Sequence, residues 1–156
     1  MWAALSCGPF QFLKGKIIMK DLHSVINTLQ VVAPVSFANN TPLVGAIVDR
    51  QGFDSVEYSI SLGTNAGVAG AYTVLLEEGN AANLSDAATV TAMLGTIANA
   101  SWAYTDVNKT RKLGYVGGMR YTRMTITPAA NAAAVLVSVT AILGNPVNSP
   151  TTNPPQ

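Results

Sequence analysis

The feature that most constrains the fold of this chain is a two-residue alternation of apolar and polar side chains. Every second position of the stretch SVEYSISL carries a large apolar side chain, namely Val56, Tyr58, Ile60 and Leu62. Successive side chains of a β-strand point to opposite faces, and an α-helix does not show this period. The pattern therefore predicts a strand over Ser55–Leu62 with one buried face and one solvated face.

Similar runs recur along the chain and end in glycine, proline or asparagine, which are typical of turns. They predict six further strands: Thr28–Ala33, Leu43–Val48, Ala71–Glu78, Lys112–Val116, Arg120–Thr127 and Ala133–Leu143. About seven or eight short strands at this spacing indicate an all-β chain folded as an antiparallel sandwich or barrel. The exception is Ser85–Leu94, which fits either a short helix capped by Ser85 or an irregular loop.

The length of 156 residues predicts one domain. We expect residues 19–144 to form it and residues 145–156, NPVNSPTTNPPQ, to form a Pro-rich extended tail. Residues 1–18 are either an N-terminal arm or a mis-called start. Lys14-Gly15 is encoded by purine-rich codons that resemble a ribosome-binding site upstream of Met19.

The composition limits the classes of function. Charged residues make up only 11% of the chain and hydrophobic residues 49%, so we expect part of the surface to be covered in an assembly. A net charge of +1 gives no overall attraction to nucleic acid or to an anionic membrane. The longest apolar run, Ala132–Leu143, is shorter than the roughly 20 residues of a membrane-spanning helix. A single cysteine, Cys7, excludes an internal disulfide and suits a reducing cytoplasm.

The sequence offers no set of residues for catalysis. For the only histidine, His23, the sequence suggests no acid–base partner, and we expect a structural or solvent role. Glu77 and Glu78 are adjacent on a predicted strand and point to opposite faces. No zinc spacing, phosphate loop or dinucleotide motif occurs. We therefore expect neither enzymatic activity nor a cofactor or metal, and the aspartates beside turns are expected to cap the backbone.

The stretch RKLGYVGGMRYTRMTIT, residues 111–127, combines cations and tyrosines around a glycine pair. We interpret Gly117-Gly118 as a hairpin turn between two strands. Five of the nine cations lie in this segment or just before it: Lys109, Arg111, Lys112, Arg120 and Arg123. The segment is either a solvated edge or a docking patch for an acidic partner. The aromatic spacing of an RNA-recognition strand is missing. Our contact candidates are Arg111, Lys112 and Arg123, since Arg120 is predicted to face the core.

Five stretches taken in order resemble the cement or decoration proteins of tailed-phage heads. They are MKDLHSVINTLQVVAP, VDRQGFDSVEYSISLGT, GAYTVLLEEG, KLGYVGGMRYTRMTIT and the Val-rich last strand, and the resemblance covers roughly residues 19–144. It implies a jelly-roll-like β-sandwich that binds the outer surface of the capsid, bridges major capsid proteins and stabilises the shell. It also implies a homo-oligomer, dimer or trimer, made in the host cytoplasm and located on the virion.

Two alternatives remain open at the level of sequence. RYTRMTI also resembles a strand of discoidin-type modules, which suggests a carbohydrate-binding β-sandwich. Such sites usually need exposed aromatic side chains, and aromatic residues make up only 7% of this chain, with Trp102 the sole tryptophan beyond Met19. The second alternative is a head–tail connector or tail component.

Overall fold

The chain folds as two antiparallel β-sheets packed face to face. A computed structural model describes residues 21–152. Within this range nearly all regular structure is strand, which confirms the prediction of an all-β, jelly-roll-like sandwich. The predicted arm or mis-called start at residues 1–18 lies outside the described residues.

Six long strands form the body of the sandwich: β1 (Ile26–Phe37), β4 (Phe53–Asn65), β5 (Ala71–Gly79), β9 (Thr110–Tyr115), β10 (Tyr121–Ala129) and β11 (Val135–Pro146). Five two-residue strands extend the sheets: β2 (Leu43–Val44), β3 (Val48–Asp49), β6 (Ala88–Thr89), β7 (Met93–Leu94) and β8 (Trp102–Ala103). A 3-10 turn, His23–Val25, precedes β1, and one short helix, α1 (Ile97–Ala100), precedes β8.

The two sheets differ in how they are built. Sheet A has the order β1-β11-β4-β9-β7, with β11 and β4 paired over almost their full lengths. Sheet B has β10 and β5 at its centre, and short strands pair with both: β2 and β3 with β10, and β6 and β8 with β5. Sheet A therefore presents a broad, regular surface, and sheet B a narrower one.

The core lies between the sheets and has the predicted phase. Val56, Tyr58, Ile60 and Leu62 of β4 are all buried, and Ile60 is 0% exposed. On β10 the buried positions include Thr122, Met124 and Ile126, as the alternation predicts. The hydroxyls of Tyr58 and Thr122 hydrogen-bond across the core at 2.7 Å, so these two buried oxygens satisfy each other.

The predicted hairpin at residues 111–127 is wrong. Strand β9 pairs with β4 and β7 in sheet A, whereas β10 pairs with β5, β2 and β3 in sheet B. The segment around Gly117-Gly118 therefore crosses from one sheet to the other. Neither glycine has the left-handed backbone of a tight hairpin turn; Gly117 is needed because of crowding, since an added Cβ would lie 2.5 Å from the Tyr115 hydroxyl oxygen.

The short helix that the sequence allowed over Ser85–Leu94 is not formed. Over Ser85–Leu94 the chain turns and forms β6 and β7, and the helix lies later, at Ile97–Ala100. Thr96, not Ser85, caps it by accepting a hydrogen bond from the Asn99 amide at 3.1 Å. Val90 is buried, and its amide donates to the Leu76 carbonyl oxygen at 2.9 Å, which anchors this segment to sheet B.

For two of the predicted strands, the difference from the structure involves a proline or a glycine. The strand predicted to end before Pro34 continues to Phe37, with register shifts between Gln30 and Val35. Proline is accepted there because β1 is an edge strand of sheet A. The strand predicted over Leu43–Val48 is two short strands with Gly45 between them, where an added Cβ would lie 2.6 Å from the Met124 carbonyl oxygen.

The C-terminal segment follows the edge of the sandwich. Strand β11 continues to Pro146, one residue beyond the predicted start of the tail. The Thr151 amide then donates to the Ser24 carbonyl oxygen at 3.0 Å, and the Thr151 hydroxyl donates to that of Ile26 at 2.6 Å. The tail therefore covers the beginning of β1, which reduces the number of free backbone groups on this long edge.

Candidate functional site

The three predicted contact residues lie in three different places. Lys112 is on the outer face of sheet A, and Arg123 is on the outer face of sheet B. Arg111 lies at the start of β9 on the inward-facing side, at the end of the sandwich. The structure therefore does not gather them into one patch, and their role as capsid contacts stays a prediction.

Two of these cations already have partners within the chain. The Arg111 guanidinium lies 2.9 Å from Asp106 Oδ2 and donates to the Asn99 carbonyl oxygen at 2.8 Å. The Arg123 guanidinium donates to Glu77 Oε2 from both Nε and Nη2, at 3.1 and 2.9 Å. Replacing either arginine would therefore disturb an internal ion pair as well as any external contact.

Arg120 is a correction to the sequence analysis, because its side chain is exposed and not directed to the core. It donates to both carboxylate oxygens of Asp49, at 3.0 and 2.7 Å, and also to Gln51. Its guanidinium lies 5.0 Å from the centre of the Tyr121 ring. This two-point pairing lowers the pKa of the Asp49 carboxyl.

The expected turn-capping role of the aspartates is confirmed at three positions. Asp49 accepts from the Gln51 amide at 2.9 Å, and Asp86 accepts from the Asn80 amide at 2.8 Å. Asp106 accepts from the Ala103 amide and from Lys109. The hydrogen bond from Lys109 is the main reason why the pKa of Asp106 is lowered to about 2.

Glu77 and Glu78 point to opposite sides of β5, as predicted. Glu77 pairs with Arg123 on the outer face. Glu78 accepts a hydrogen bond from the buried Tyr115 hydroxyl, which in turn accepts from the Met119 amide at 2.8 Å. Burial, together with the bond to Glu78, raises the pKa of Tyr115 to about 12. The bonds among Glu78, Tyr115 and Met119 hold the crossing segment in place.

The outer face of sheet A is a regular surface with little charge. Pairing and burial place on it the outward residues of β11, β4 and β9: Leu136, Ser138, Thr140, Ile142, Gly144, Ser55, Glu57, Ser59, Ser61, Thr110, Lys112 and Gly114. Leu94 of β7 and Thr28 of β1 lie beside them. We call this set the sheet A face. Its only charged members are Glu57 and Lys112.

These two charges stand out from the others in the described part of the chain. Six of the eight carboxylates accept at least one hydrogen bond: Asp21, Asp49, Glu77, Glu78, Asp86 and Asp106. The other two are Asp54, which is exposed, and Glu57. Among the cations of residues 21–152, Lys112 has neither an ion pair nor a hydrogen bond. The half-buried acid and the cation without partners therefore lie on the same face.

Two apolar grooves open on the sheet A face. The first encloses about 310 Å³ and is lined mainly by apolar side chains, together with two glycines, Ser55, Asn145 and Glu57. The second encloses about 270 Å³ and is lined by Pro34, Val35 and Leu136, among others. We call the first the Glu57 groove.

The Glu57 carboxylate lies against the backbone of Gly114, where an added Cβ would be only 2.8 Å from Oε2. Burial raises the pKa of Glu57, and the nearby positive charge of Lys112 partly opposes this. The alternation in β4 already placed Glu57 on a solvated face among serines. Its lack of a partner depends on β7, β9 and β11, which are distant in sequence, so sequence reasoning missed it.

The aromatic side chains do not form a sugar-binding platform within residues 21–152. Trp102 is only 5% exposed and stacks on Tyr72, with the ring centres 5.1 Å apart. Tyr104 is the only large aromatic side chain in this range that is exposed. Planar sugar stacking needs a more accessible ring than that of Trp102.

In the same range no group of three or more His, Cys, Asp or Glu residues is placed to hold a metal ion. No helix of residues 21–152 is both long and apolar enough to cross a membrane. His23 lies exposed in the 3-10 turn before β1.

Comparisons with known proteins give no family. No protein-family model and no curated protein sequence matches this chain. One solved structure similar to it is the Clostridium thermocellum N-terminal endo-1,4-β-D-xylanase 10B, CBM22-1–GH10 modules, complexed with xylohexaose. The identity is 8% and the TM-score is 0.39, over 83% of this chain and 30% of that one. The chain thus spans under a third of that protein's length, and a likeness of this size does not identify a function.

Proposed function

We propose that this chain is a structural protein of a virion, a cement or decoration protein that binds the outer surface of a tailed-phage head. In this role it bridges and stabilises major capsid proteins as a homo-oligomer, dimer or trimer. It is made in the host cytoplasm and resides on the outside of the capsid. The proposal is supported by the resemblance over residues 19–144 and by the sheet A face.

The proposal rests on the location of the charged side chains that make no internal ion pair or hydrogen bond. The described charges outside the sheet A face are held in internal contacts, apart from the exposed Asp54, whereas Glu57 and Lys112 are not. Around them the face consists of serine, threonine, glycine and aliphatic side chains. Protein interfaces are depleted in charge at their centres and combine apolar contacts with polar ones. We therefore assign the capsid contact to this face.

The positions of the cations in the structure change which of the three predicted contact residues can meet a partner. Lys112 remains a contact candidate because it projects from the sheet A face. Arg111 and Arg123 would meet an acidic partner only by exchanging their contacts with Asp106 and Glu77. A repeated capsid surface makes even a weak single contact effective, because one oligomer binds through several equivalent sites.

We also propose that the protein has no enzymatic activity and binds no nucleic acid directly. The catalytic and phosphate-binding motifs missing from the sequence support this, and so does the engagement of most carboxylates in internal contacts. Among residues 21–152, Lys112 and Arg123 lie on opposite sides of the sandwich, which argues against one continuous surface for phosphates.

The experiment is co-sedimentation of the purified protein with undecorated heads of the phage whose genome carries the gene. We expect saturable binding that Ser59→Arg, at the centre of the sheet A face, abolishes. The matched control is Thr127→Arg on the exposed face of sheet B, which should bind as the wild type does. Lys112→Glu should reduce binding, and added salt should weaken the wild-type interaction.

Three results would overturn the proposal. No binding to heads combined with retention on insoluble xylan or another polysaccharide would favour the carbohydrate-binding alternative. Labelling of the chain at the portal or tail of intact virions would favour a connector or tail component. Equal loss of binding in Ser59→Arg and Thr127→Arg would show that the sheet A face is not the specific contact.

A further inference from the structure

The Glu57 groove combines apolar walls with a single carboxylate. Its walls are formed by Leu22, Val25 and Ile26 on one side and by Leu94 and Val116 on the other, with Ile142 between them. The floor is formed at two places by glycine, Gly114 and Gly144, where an added Cβ would lie 2.8 Å from Glu57 Oε2 and from Ser55 Oγ. Side chains at these two positions would fill the groove.

The walls are accessible from solvent. Leu94 is 64% exposed and Leu22 is 66% exposed, which is unusual for large aliphatic side chains that border a concave surface. The groove encloses about 310 Å³, enough for one long side chain and too small for a folded element. The shape therefore favours a single linear group as the occupant.

The charge of the groove specifies the chemistry of that group. Glu57 has no hydrogen-bond or ion-pair partner among the described residues. Among the described residues, Lys112 on the neighbouring strand is the charged side chain whose attraction partly offsets the raised pKa of Glu57. A half-buried carboxylate without a partner is costly, and a cation that reaches it would remove that cost.

An amine suits this carboxylate better than a guanidinium does. One carboxylate oxygen, Oε2, lies against the Gly114 backbone, so the two oxygens are not equally open to the two-pronged contact that arginine makes. An ammonium group on an aliphatic stem needs only one acceptor, and its methylenes can pack along Leu94 and Ile142. The walls and the acid thus match the two parts of a lysine side chain.

We propose that the Glu57 groove receives a lysine side chain of the protein partner, with the stem on the apolar walls and the ammonium on the Glu57 carboxylate. The partner identity rests on the proposed function, because the sheet A face is there the docking surface. The chemistry of the groove does not depend on it and is tested separately.

The test uses n-pentylamine as a probe of the lysine stem and ammonium, followed in backbone amide NMR spectra of the full-length protein. We expect saturable shifts confined to the groove, at Gly114, Gly144, Leu94 and Val116. 1-Pentanol should bind at least about tenfold more weakly, and pentanoate should not bind, because a charge-assisted hydrogen bond contributes about that factor. Glu57→Gln should weaken pentylamine to the level of pentanol.

The matched control is Asp54→Asn, which removes the exposed carboxylate on the same strand and should leave pentylamine binding unchanged. Equal binding of pentylamine and pentanol, shifts outside the groove, or an unaffected Glu57→Gln variant would overturn the proposed chemistry. If pentylamine binds as expected and Glu57→Gln still occupies phage heads fully, the assignment of the lysine to the partner is wrong, whereas the docking face itself stands.

Discussion

At the scale of single residues, most charges of this chain are used internally. Arg120 is held by Asp49, Arg123 by Glu77, and Asp106 holds both Lys109 and Arg111. Surface ion pairs of this kind contribute little to stability individually, but they fix where charge is available for binding. Within residues 21–152 few charges therefore lack an internal contact, and two of them share the sheet A face.

Glu57 should make the protein less stable as the pH rises. Burial raises its pKa above the ordinary value of 4.5, so the folded state holds this proton more tightly than the unfolded state does. The free energy of unfolding then falls as the pH rises from 4.5 through the raised pKa. We expect Glu57→Gln to flatten this decline in melting temperatures measured from pH 4 to 8. A decline of equal slope in both proteins would contradict the assignment.

Asp106 should show the opposite sign. Its pKa is lowered from 3.8 to about 2, chiefly by the hydrogen bond from Lys109, so the folded state prefers the ionised form. Its contribution is complete above pH 3.8 and is lost as the pH falls through about 2. Asp106→Asn should lower the stability by about 1 kcal/mol at pH 7. In acid titrations of unfolding, the variant and the wild type should converge near pH 2, and a constant difference would contradict this.

Sequence reasoning located the acidic and basic residues but not their partners. Arg123 and Glu77 are in register on neighbouring strands β10 and β5, but no local sequence pattern in either strand predicts this pairing. Glu57 was visible as an acid on a solvated strand face. Whether such an acid has a partner depends on side chains from strands far away in sequence, which no local pattern encodes.

At the scale of elements, the alternation in β4 fixes which side chains enter the core. Ile60→Asp should abolish soluble folding, because an unpaired buried carboxylate costs several kcal/mol. Ser59→Asp, one residue away on the sheet A face, should change the melting temperature only slightly. Soluble expression and thermal melts measure both. Equal tolerance of the two changes would mean that the strand phase is wrong.

The crossing segment between the sheets depends on one glycine of the pair. A Cβ at Gly117 would lie 2.5 Å from the Tyr115 hydroxyl oxygen and 2.6 Å from Glu78 Oε2, which are bonded to each other. A Cβ at Gly118 would meet nothing within 4 Å. We expect Gly117→Ala to destabilise the fold by about 1–3 kcal/mol and Gly118→Ala to be nearly neutral in urea unfolding. Similar losses for both would indicate a general need for backbone freedom.

The strands with strong alternation were predictable, whereas their connections were not. A glycine pair between two strands looks the same in sequence whether the strands pair in one sheet or lie in two facing sheets. The choice was made here by the pairing of β9 with β4 and of β10 with β5. The two-residue strands β6 and β7 are too short to show any period. The sequence of Ser85–Leu94 therefore fits a short helix as well as an irregular loop.

At the scale of the whole molecule, the sandwich presents two unlike faces. The exposed side of sheet B carries the ion pair of Arg123 with Glu77, whereas the sheet A face is broad, nearly uncharged and grooved at two places. A chain with 11% charged residues gains from covering such a surface. In the proposed role as a capsid cement protein, the sheet A face is covered by the capsid shell and by neighbouring copies of the chain.

A cryo-electron microscopy reconstruction of heads decorated with the purified protein tests whether the sheet A face binds the capsid. We expect density for the sandwich on the outer capsid surface, with Ser59, Thr140 and Lys112 of the sheet A face buried against a major capsid protein. Density that places sheet B against the shell, with these three residues exposed to solvent, would contradict it. So would heads that bind no protein at saturating concentration.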